Sequence, residues 1–395
     1  MAHPLFGIVP SEGRSGGNPD GADPGHVRAP KEVIKVVGVG GGGGNALAHM
    51  IGLGLSGVTT VVANTDVRAM EMVDAQVKIV LGRELTKGLG AGANPEVGHK
   101  AAVESREEIR RVLEGSDMVY FAAGMGGGTG TGALPVMAAM AREMGILTVA
   151  VVTKPFTFEG AKRMNNALAG IRELEPAVDS LIVIPNDRLI EISDARMTIQ
   201  ESFAMANDVL RQAVQGVTDL IVRPGLVNVD FADVRAVMRC AGRAVMGIGS
   251  ARGEDRAKEA LRRAMESPLM EVRLKDARGG LINVTAGPDI GIHELNEAAE
   301  AFQSYLGEDA LFFWGYGEDP DLTGTVKVVV IAAGFDGEDR CDAPPKGAPR
   351  PRGAEAEPLR PPMTPDRGDS PGLFDRSPSS LDVPTILRRR GMGPG

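Results

Sequence analysis

The chain has 395 residues, of which 43% are hydrophobic, and its formal net charge is −9. This length allows two packed domains with further segments at the ends, and the negative charge, which falls on residues 32–335, argues against the basic surface that nucleic-acid binding requires. Cys240 and Cys341 are the only cysteines, so neither a disulfide framework nor a cysteine metal site is expected.

The first half of the chain alternates apolar runs with helical patterns. Residues 1–31 are rich in Gly, Pro and Asp and predict a disordered N-terminal extension. Residues 32–199 then predict a parallel sheet with helices on both faces, a Rossmann-like domain. The predicted strands are Val33–Val39, Thr59–Asn64, Met118–Ala123, Ile146–Thr153 and Leu181–Pro185, and helical stretches between them include Glu96–Glu114 and Ala133–Met144.

The second half predicts a smaller α+β domain, residues 223–335, which a long central helix over residues 200–222 joins to the first. Arg223, Pro224 and Gly225 mark the end of that helix. The patterns that follow predict helices at Asp233–Met246 and Asp255–Met265 and strands at Leu281–Thr285, Ala310–Gly315 and Thr325–Ala332. The expected fold class is therefore α/β, with two domains and disordered tails.

The composition changes abruptly after residue 335. Residues 336–380 contain ten prolines and predict a disordered linker. A flexible chain of that length has a root-mean-square span of roughly 40 Å. The final residues, 381–395, begin with an apolar and basic motif, Leu381–Arg390. A short motif on a long tether predicts a peptide that binds a partner, and the alternative is a solvated basic terminus.

A first glycine loop follows the first predicted strand. Gly38, Gly40 and Gly43 satisfy the pattern G-x-G-x-x-G, which lets the backbone approach a phosphate at a helix N-terminus. The same spacing serves nicotinamide dinucleotides, for which an acid about 20 residues further on binds ribose. Asp66 could fill that role, so a nicotinamide-dependent dehydrogenase is one alternative.

A second glycine loop, Gly126–Gly132, follows another predicted strand. Two such loops at the carboxyl ends of parallel strands converge on one crevice, and a triphosphate needs both where a dinucleotide needs one. No P-loop lysine motif occurs. The phosphate charge would therefore be met by backbone N–H groups, helix dipoles and a metal ion, expected to be Mg²⁺.

The second loop matches the glycine signature of the tubulin/FtsZ family, which the chain resembles from about Glu32 to Phe335. The resemblance includes Lys87–Pro95, Lys154–Gly160 and Pro185–Asp187, and it resumes at Leu381–Arg390. The length of the body and the tail motif indicate the cell-division branch of the family rather than tubulin itself.

The resemblance implies a set of residues that hold GTP. Glu159 and Arg163 would contact ribose, although four-residue spacing also suits an ordinary surface ion pair. Phe203 would lie against guanine, or simply pack in the core. The implied residues are Gly41, Gly42, Gly43, Gly44, Asn45, Ala91, Gly92, Ala93, Gly126, Gly127, Gly128, Thr129, Gly130, Thr131, Gly132, Glu159, Arg163, Asn186, Phe203, Asn207 and Asp208.

The resemblance also implies catalytic residues on the opposite face: Asn228, Asp230 and Asp233. In the family these residues enter the site of the next subunit and polarise the attacking water. Phosphoryl transfer depends mainly on positioning and on charge stabilisation. Spacing alone favours another interpretation, in which Asp230 caps a helix and Asp233 lies in its first turn.

The resemblance therefore implies a GTPase, with GTP, GDP and Mg²⁺ as ligands, that polymerises head to tail into the bacterial division ring. Its expected partners are other copies of itself and, through Leu381–Arg390, membrane-tethering and regulatory division proteins. No run of about 18 apolar residues could span a bilayer, so no direct membrane insertion and a cytoplasmic location are expected. A filament protein that binds GTP without hydrolysing it is a further alternative.

Overall fold

The structure is a computed structural model that describes residues 32–191, 196–222, 229–239, 242–270, 277–307 and 310–335. All of these belong to the first of two units, Met1–Asp342, whereas the second unit, Ala343–Gly395, lies outside them. The predictions for residues 1–31, 336–380 and 381–395, and for Asn228, also fall outside the described residues. No helix that the described residues form combines the length and hydrophobicity needed to cross a membrane.

The described residues form ten strands in a single sheet. The strands are β1 (Ile34–Val39), β2 (Thr59–Asn64), β3 (Val77–Val80), β4 (Met118–Gly124), β5 (Leu147–Lys154), β6 (Ser180–Pro185), β7 (Gly242–Arg252), β8 (Gly279–Ala286), β9 (Leu311–Glu318) and β10 (Thr325–Ala333). Their spatial order is β3-β2-β1-β4-β5-β6-β7-β10-β8-β9.

Helices connect and cover these strands. They are α1 (Gly40–Gly52), α2 (Val67–Glu71), α3 (Arg83–Thr86), α4 (Pro95–Glu104), α5 (Arg106–Leu113), α6 (Thr129–Glu143), α7 (Ala161–Leu174), α8 (Asn186–Glu191), α9 (Ile199–Val222), α10 (Phe231–Arg239), α11 (Arg256–Met265) and α12 (Ile292–Tyr305). The strands from β1 to β6 pair in parallel, as expected for strands with helical crossovers. This confirms the predicted fold class.

The strands of the second half continue the same sheet. β7 begins parallel to β6, with residues 180–182 opposite residues 242–244. It then pairs antiparallel with β10, which pairs antiparallel with β8, and β9 lies parallel to β8 at the edge. The division of the chain into a first domain, a central helix and a second domain stays a prediction.

The predicted helix at Asp233–Met246 is wrong in its second half. α10 ends at Arg239, and Gly242 begins β7. Along β7, small and apolar residues mix with Arg243 and Arg252, a pattern that helical and strand periods fit about equally well. Nine paired positions with β10 decide the outcome, because tertiary pairing overrides a weak local preference.

Two other predicted helices have different bounds. The stretch Glu96–Glu114 is two helices, because the chain turns at Ser105, whose hydroxyl oxygen accepts a hydrogen bond from the Gly82 N–H at 3.0 Å. The stretch Ala133–Met144 begins earlier, at Thr129, so that Pro135 lies inside α6 rather than in its first turn. The glycine loop before Ala133 is therefore itself the start of the helix.

The core lies on both faces of the sheet. One buried cluster packs α1, α9 and α10 against one face of the sheet, and a second packs α4, α5, α6 and α7 against the other. A third fills the space between β8, β10, α11 and α12. α9 runs along the first cluster, where the Asn283 Nδ2 donates to the Gly216 carbonyl oxygen at 2.8 Å. The carboxyl ends of β1, β4 and β5 consequently open onto one edge, beside the start of α9.

Candidate functional site

The first glycine loop brings β1 and α1 unusually close together. α1 begins at Gly40, directly after β1, and Gly40 has a φ of +70°. A Cβ atom on Gly40 would lie 2.8 Å from the Gly130 backbone nitrogen, and one on Gly43 would collide with the Ala122 carbonyl oxygen. These glycines therefore let the first helix approach both β4 and the second glycine loop.

The second glycine loop joins β4 to α6 and is held by short side-chain bonds. The Gly126 N–H donates to the Thr131 hydroxyl oxygen at 2.8 Å, and Gly126 has a φ of +100°. The Thr129 and Thr65 hydroxyl oxygens lie 2.6 Å apart, which ties the start of α6 to the residue after β2. The loop is thus rigid before any ligand binds, which favours a binding site that is already formed.

A cleft of about 770 Å³ opens where the two glycine loops meet. The N-termini of α1 and α6 both begin at its edge, so that their free N–H groups favour a negatively charged ligand there. Its walls are Gly41, Gly42, Gly124, Met125, Gly127, Gly128, Thr129, Gly130, Thr153, Pro155, Glu159, Arg163, Asn186, Phe203, Ala206, Asn207 and Leu210.

Glu159 and Arg163, which the resemblance assigned to ribose, lie in the wall of this cleft. The Arg163 Nη1 donates to the Glu159 Oε2 at 2.6 Å, and the Phe156 N–H donates to the Glu159 Oε1 at 2.9 Å. The Glu159 side chain is only 10% exposed, whereas that of Arg163 is 50% exposed. The pair has the four-residue spacing of a surface ion pair, but its position in the cleft makes it available to a ligand.

One face of α9 closes the other end of the cleft. Phe203, Ala206, Asn207 and Leu210 follow one another at helical spacing and all line the cleft. The Phe203 ring meets those of Phe156 and Phe158 edge-on, with centroids 5.3 Å and 6.4 Å apart, and Phe203 remains 40% exposed. This is a partly open aromatic surface rather than core packing.

Asn186, which lines the cleft at the start of α8, has an unsatisfied oxygen. The residue is 4% exposed, and its Oδ1 has no hydrogen-bond partner in the part of the chain that the structure describes. A buried acceptor without a partner costs about 1–3 kcal/mol. A ligand with N–H or O–H groups would supply the missing partner.

The loop Ala91–Ala93 reaches the second glycine loop without lining the cleft. Ala91 is 8% exposed, and a Cβ on Gly128 would lie 2.7 Å from that of Ala91. Ala93 has a φ of +59°, which is uncommon for a residue with a side chain. Such strained positions concentrate at functional sites, so the geometry is compatible with the predicted role beside a phosphate.

Asp208 lies outside the cleft, although the sequence placed it with Asn207. Its carboxylate accepts hydrogen bonds from the Arg211 Nε at 2.7 Å and the Gln212 Nε2 at 2.5 Å. Burial opposes the ionisation of Asp208, but the hydrogen bonds and positive charge of Arg211 outweigh it and hold the pKa of this carboxyl below its ordinary value. Both bonds lie within α9, so this carboxylate is occupied by partners on its own helix.

Several other predicted residues support the cleft without lining it. Gly43 and Gly44 are buried within α1, and Asn45 is exposed on that helix. Gly126, Thr131 and Gly132 are buried parts of the second loop. A Cβ on Gly132 would collide with the Pro95 carbonyl oxygen, so this residue lets α4 and α6 touch. Their contribution in the structure is to shape the loops.

The position of Asp66 does not support the dehydrogenase alternative, which requires this residue to bind ribose. The Asp66 Oδ1 accepts from the N–H groups of Arg68 and Ala69, at 3.0 Å and 3.2 Å, and so caps α2. Asp66 is not part of the cleft wall. Its carboxylate is committed to a helix N-terminus rather than presented to a ribose.

The predicted catalytic acids lie beside α10, away from the cleft wall. α10 begins directly after Asp230, whose carbonyl oxygen accepts from the N–H groups of Asp233 and Val234 at 3.0 Å and 3.2 Å. Asp230 is exposed and Asp233 is half-buried in the first turn. α10 therefore starts directly after Asp230 with Asp233 in its first turn, while a cap by the Asp230 side chain stays a prediction; neither acid lines the cleft of its own chain. Asn228 lies outside the described residues.

Six residues of the cleft wall were not predicted: Gly124, Met125, Thr153, Pro155, Ala206 and Leu210. Two signals could have indicated them. Ala206 and Leu210 lie three and seven residues after Phe203, on the same helical face. Thr153 and Pro155 stand at the carboxyl end of a predicted strand, where ligands of parallel sheets bind.

The cleft supplies amides and hydroxyls rather than a cluster of metal ligands. Among the described residues, no group of three or more His, Cys, Asp or Glu side chains could hold a metal ion. Mg²⁺ commonly binds through phosphate oxygens and water with few protein ligands. The residues present therefore do not form a resident metal site, although they leave room for an ion that arrives with a phosphate ligand.

Comparison with known proteins agrees with the two glycine loops. Residues 33–194 match the GTPase domain of the tubulin/FtsZ family, and residues 242–336 match the C-terminal domain of the FtsZ family. The cell division protein FtsZ of Coxiella burnetii (strain RSA 493 / Nine Mile phase I) is 54% identical over 303 residues, which cover 76% of this chain and 78% of that protein.

Solved structures show the same similarity. The empty FtsZ dimer of M. jannaschii has a TM-score of 0.75 and 44% sequence identity, and the match covers 78% of this chain and 89% of that one. CetZ2 from Haloferax volcanii, solved as a protofilament with GTPγS, has a TM-score of 0.63 at 21% identity, over 78% of this chain and 95% of that one. At that identity the second likeness concerns the fold alone.

Proposed function

Because this chain belongs to the tubulin/FtsZ family and is a cell-division GTPase of that family, we propose that it assembles head to tail and hydrolyses GTP at the junction between two subunits. One observation carries the proposal. The cleft is lined by phosphate-binding loops and by Glu159 and Arg163, yet Asp230 and Asp233 do not line the cleft of their own chain. A second subunit would have to bring these acids to the nucleotide.

The cleft wall divides into three regions that suit the three parts of GTP. The glycine loops and the N-termini of α1 and α6 bind the phosphates through backbone N–H groups. Glu159 and Arg163 hold the ribose. Phe203 stacks on guanine, and Asn186 and Asn207 bond to its polar edge, which would also satisfy the Asn186 oxygen.

Hydrolysis then needs a water molecule placed in line with the γ-phosphate. The exposed Asp230, and Asp233 in the first turn of α10, would orient and polarise that water from the neighbouring subunit, together with Asn228. Such positioning groups supply most of the catalysis in phosphoryl transfer. Mg²⁺ enters with the nucleotide in this proposal, held by phosphate oxygens.

The proposed cellular role follows from the family. The chain forms protofilaments of the division ring in the cytoplasm. Its body is a nucleotide domain (32–199), a central helix (200–222) and a second domain (223–335). The linker and Leu381–Arg390 tether it to membrane-bound and regulatory division proteins. The solved FtsZ dimer of M. jannaschii supports self-association.

A mixing experiment tests the shared site. Asp233→Ala subunits keep an intact cleft, so we expect them to bind GTP as the unaltered chain does. Alone they should hydrolyse almost no GTP, but GTP bound to them beforehand should be cleaved once unaltered subunits are added, because an unaltered neighbour then supplies the acid to the variant's cleft. Phosphate release and GTP binding are measured on the same samples.

Glu108→Ala is the matched control, since Glu108 occupies the same position in the first turn of α5 as Asp233 does in α10. This variant should mix without suppressing turnover. If Asp233→Ala subunits retained full activity alone, or if GTP bound to them stayed intact after unaltered subunits were added, hydrolysis would not depend on a neighbour's acid.

A further inference from the structure

A second groove forms where two neighbouring strands separate. β7 pairs with β6 only over residues 242–244 and then diverges. The opening encloses about 940 Å³ and is covered on one side by α7. Leu181 and Val183 of β6 and Leu168 and Ile171 of α7 supply apolar walls. This groove shares no lining residue with the nucleotide cleft.

The charged side chains of the groove are all cationic. Lys154, Arg172 and Arg243 line it, and among the described residues no carboxylate does. The Arg243 Nε contacts the Glu175 Oε1 at 3.1 Å, but the Arg243 side chain remains 57% exposed. Three cations beside an apolar floor favour an occupant with acidic groups.

A segment of the same chain carries such acidic groups. Phe335 lines the groove and is the last described residue. The seven residues that follow, 336–342, contain four acids (Asp336, Glu338, Asp339 and Asp342) and a single base, Arg340. Because the connection is covalent, the local concentration of these acids at the groove reaches the millimolar range or more.

We propose that this groove is the binding surface for the acidic segment 336–342 of the same chain. The carboxylates that follow Phe335 pair with Lys154, Arg172 and Arg243, and the apolar walls hold the chain as it leaves the sheet. Each exposed ion pair is individually weak, so the contact depends on tethering and is sensitive to salt.

Because the groove lies next to the nucleotide cleft, this contact would fix where the tether starts. Lys154 lies between Thr153 and Pro155, both of which line the nucleotide cleft. A tether anchored here starts from a fixed point beside the end of β5 rather than swinging freely. The inference does not use the hydrolysis mechanism, and its failure would leave the proposed function unchanged.

Cysteine cross-linking in the full chain tests the contact. Cys341 lies within the acidic segment, and Cys240→Ser leaves it as the only native thiol. Leu168→Cys adds a thiol at the rim of the groove, where Leu168 is 38% exposed. A short bismaleimide should join positions 168 and 341 within one chain several-fold faster than it joins Cys341 to the control Glu173→Cys, which is exposed on the same helix outside the groove.

Removing negative charges from segment 336–342 distinguishes docking in the groove from simple proximity along the chain. In the triple variant Asp336→Asn, Glu338→Gln, Asp339→Asn, and equally in high salt, the two cross-linking rates should become alike. Equal rates in the starting chain would overturn the proposal, as would a preference for position 168 that survives neutralisation. Cross-links between two chains would also overturn it, because they would assign the groove to a second copy.

Discussion

At the residue scale, Asn186 places a buried hydrogen-bond acceptor in the wall of the cleft. Its Oδ1 is buried without a partner in the described part of the chain, at the edge where Phe203 and Asn207 also lie. In a protein selected for stability alone, we would expect this buried oxygen to be hydrogen-bonded or the residue to be apolar. What distinguishes Asn186 from other described residues with an unpartnered buried atom, such as Asn283, is that it lines the cleft, where a ligand can reach its oxygen.

Replacing this side chain should separate the two roles. Asn186→Leu keeps the volume and removes the buried polar group, so we expect the unliganded protein to be as stable as before or slightly more so. GTP affinity should fall about tenfold to hundredfold, which corresponds to roughly 1–3 kcal/mol for a buried hydrogen bond. Thermal unfolding without nucleotide and equilibrium GTP binding are the two measurements.

Asn283 serves as the control, because its Oδ1 is also buried without a partner among the described residues, but its Nδ2 makes a buried hydrogen bond. It is 4% exposed, lies outside the cleft, and donates to the Gly216 carbonyl oxygen at 2.8 Å. Asn283→Leu should lower the stability and leave GTP affinity unchanged. The interpretation of Asn186 fails if Asn186→Leu instead destabilises the protein while GTP binds as tightly as before.

Sequence reasoning located the polar part of the cleft better than its apolar part. Glu159, Arg163 and Asn207 carry functional groups that a resemblance can transfer position by position. Leu210 carries no such group, and only its position seven residues after Phe203, on the same face of α9, could have indicated that it lines the cleft. Asp208 is the opposite case: the sequence placed it in the site, but it does not line the cleft, because one helical step of about 100° turns it away from Asn207.

At the element scale, Asp208 belongs to the junction of α9 with α1 and β10. The groups that face it are Arg211 and Gln212 on α9, His49 on α1, whose Nε2 lies 3.5 Å from its Oδ1, and Lys327 on β10. Burial lowers the pKa of Lys327. The junction therefore holds opposite charges in a partly desolvated place, where each charge depends on the other.

This junction predicts a pH-dependent stability. The pKa of Asp208 is lower in the folded protein than its ordinary value of 3.8, so its stabilisation is complete above that value and disappears as the pH falls through the folded pKa. Asp208→Asn should lower the free energy of unfolding by about 1 kcal/mol at neutral pH, discounted for partial exposure. Below the ordinary value, the difference from the unaltered chain should shrink.

Urea unfolding at a series of pH values from about 7 down to about 3 measures this difference. Asp74→Asn, a change of an exposed acid outside the junction, is the control for altering one surface charge. A stability difference between Asp208→Asn and the unaltered chain that stays constant with pH would mean that packing, rather than ionisation, is what Asp208 contributes.

Some strands are determined by their local sequence pattern, whereas others are determined by how the elements pack together. β1, β2, β4, β5 and β6 are continuous apolar runs ending at turn signals, and their positions were predicted within about two residues. β7 could not be recognised, because Gly247 and Gly249 carry no strand preference. They are there because a Cβ on either would collide with the backbone of α11. That contact depends on how a helix packs on the sheet and has no local signature in the strand.

At the scale of the whole molecule, the cleft and α10 are different surfaces of one chain. A contact between two different surfaces repeats without closing unless the rotation between copies forms a ring. The proposed head-to-tail filament is the open outcome, and in it each junction would combine the cleft of one subunit with the acids of the next. The rate of GTP hydrolysis should therefore depend on the number of complete junctions between subunits rather than on the number of chains.

Complementation between two inactive variants tests this directly. Asp233→Ala has an intact cleft and lacks the acid. Gly41→Leu keeps the acids and fills the cleft, and its Cβ meets no atom within 4 Å, so the chain can still fold. Each variant alone should hydrolyse almost no GTP. In an equimolar mixture roughly a quarter of random junctions pair an intact cleft with an intact acid, so turnover should recover to at most about that fraction.

The recovered activity should also rise with total concentration, because forming a junction requires two molecules. Gly52→Leu is the matched control: Gly52 ends the same helix, its Cβ would also meet no atom within 4 Å, and it lies outside the cleft wall. Mixed with Asp233→Ala, this control should give activity at roughly half of the junctions, because every cleft then binds GTP. A mixture of Asp233→Ala and Gly41→Leu that stays inactive at every concentration, while both variants remain folded, would place cleavage within single chains.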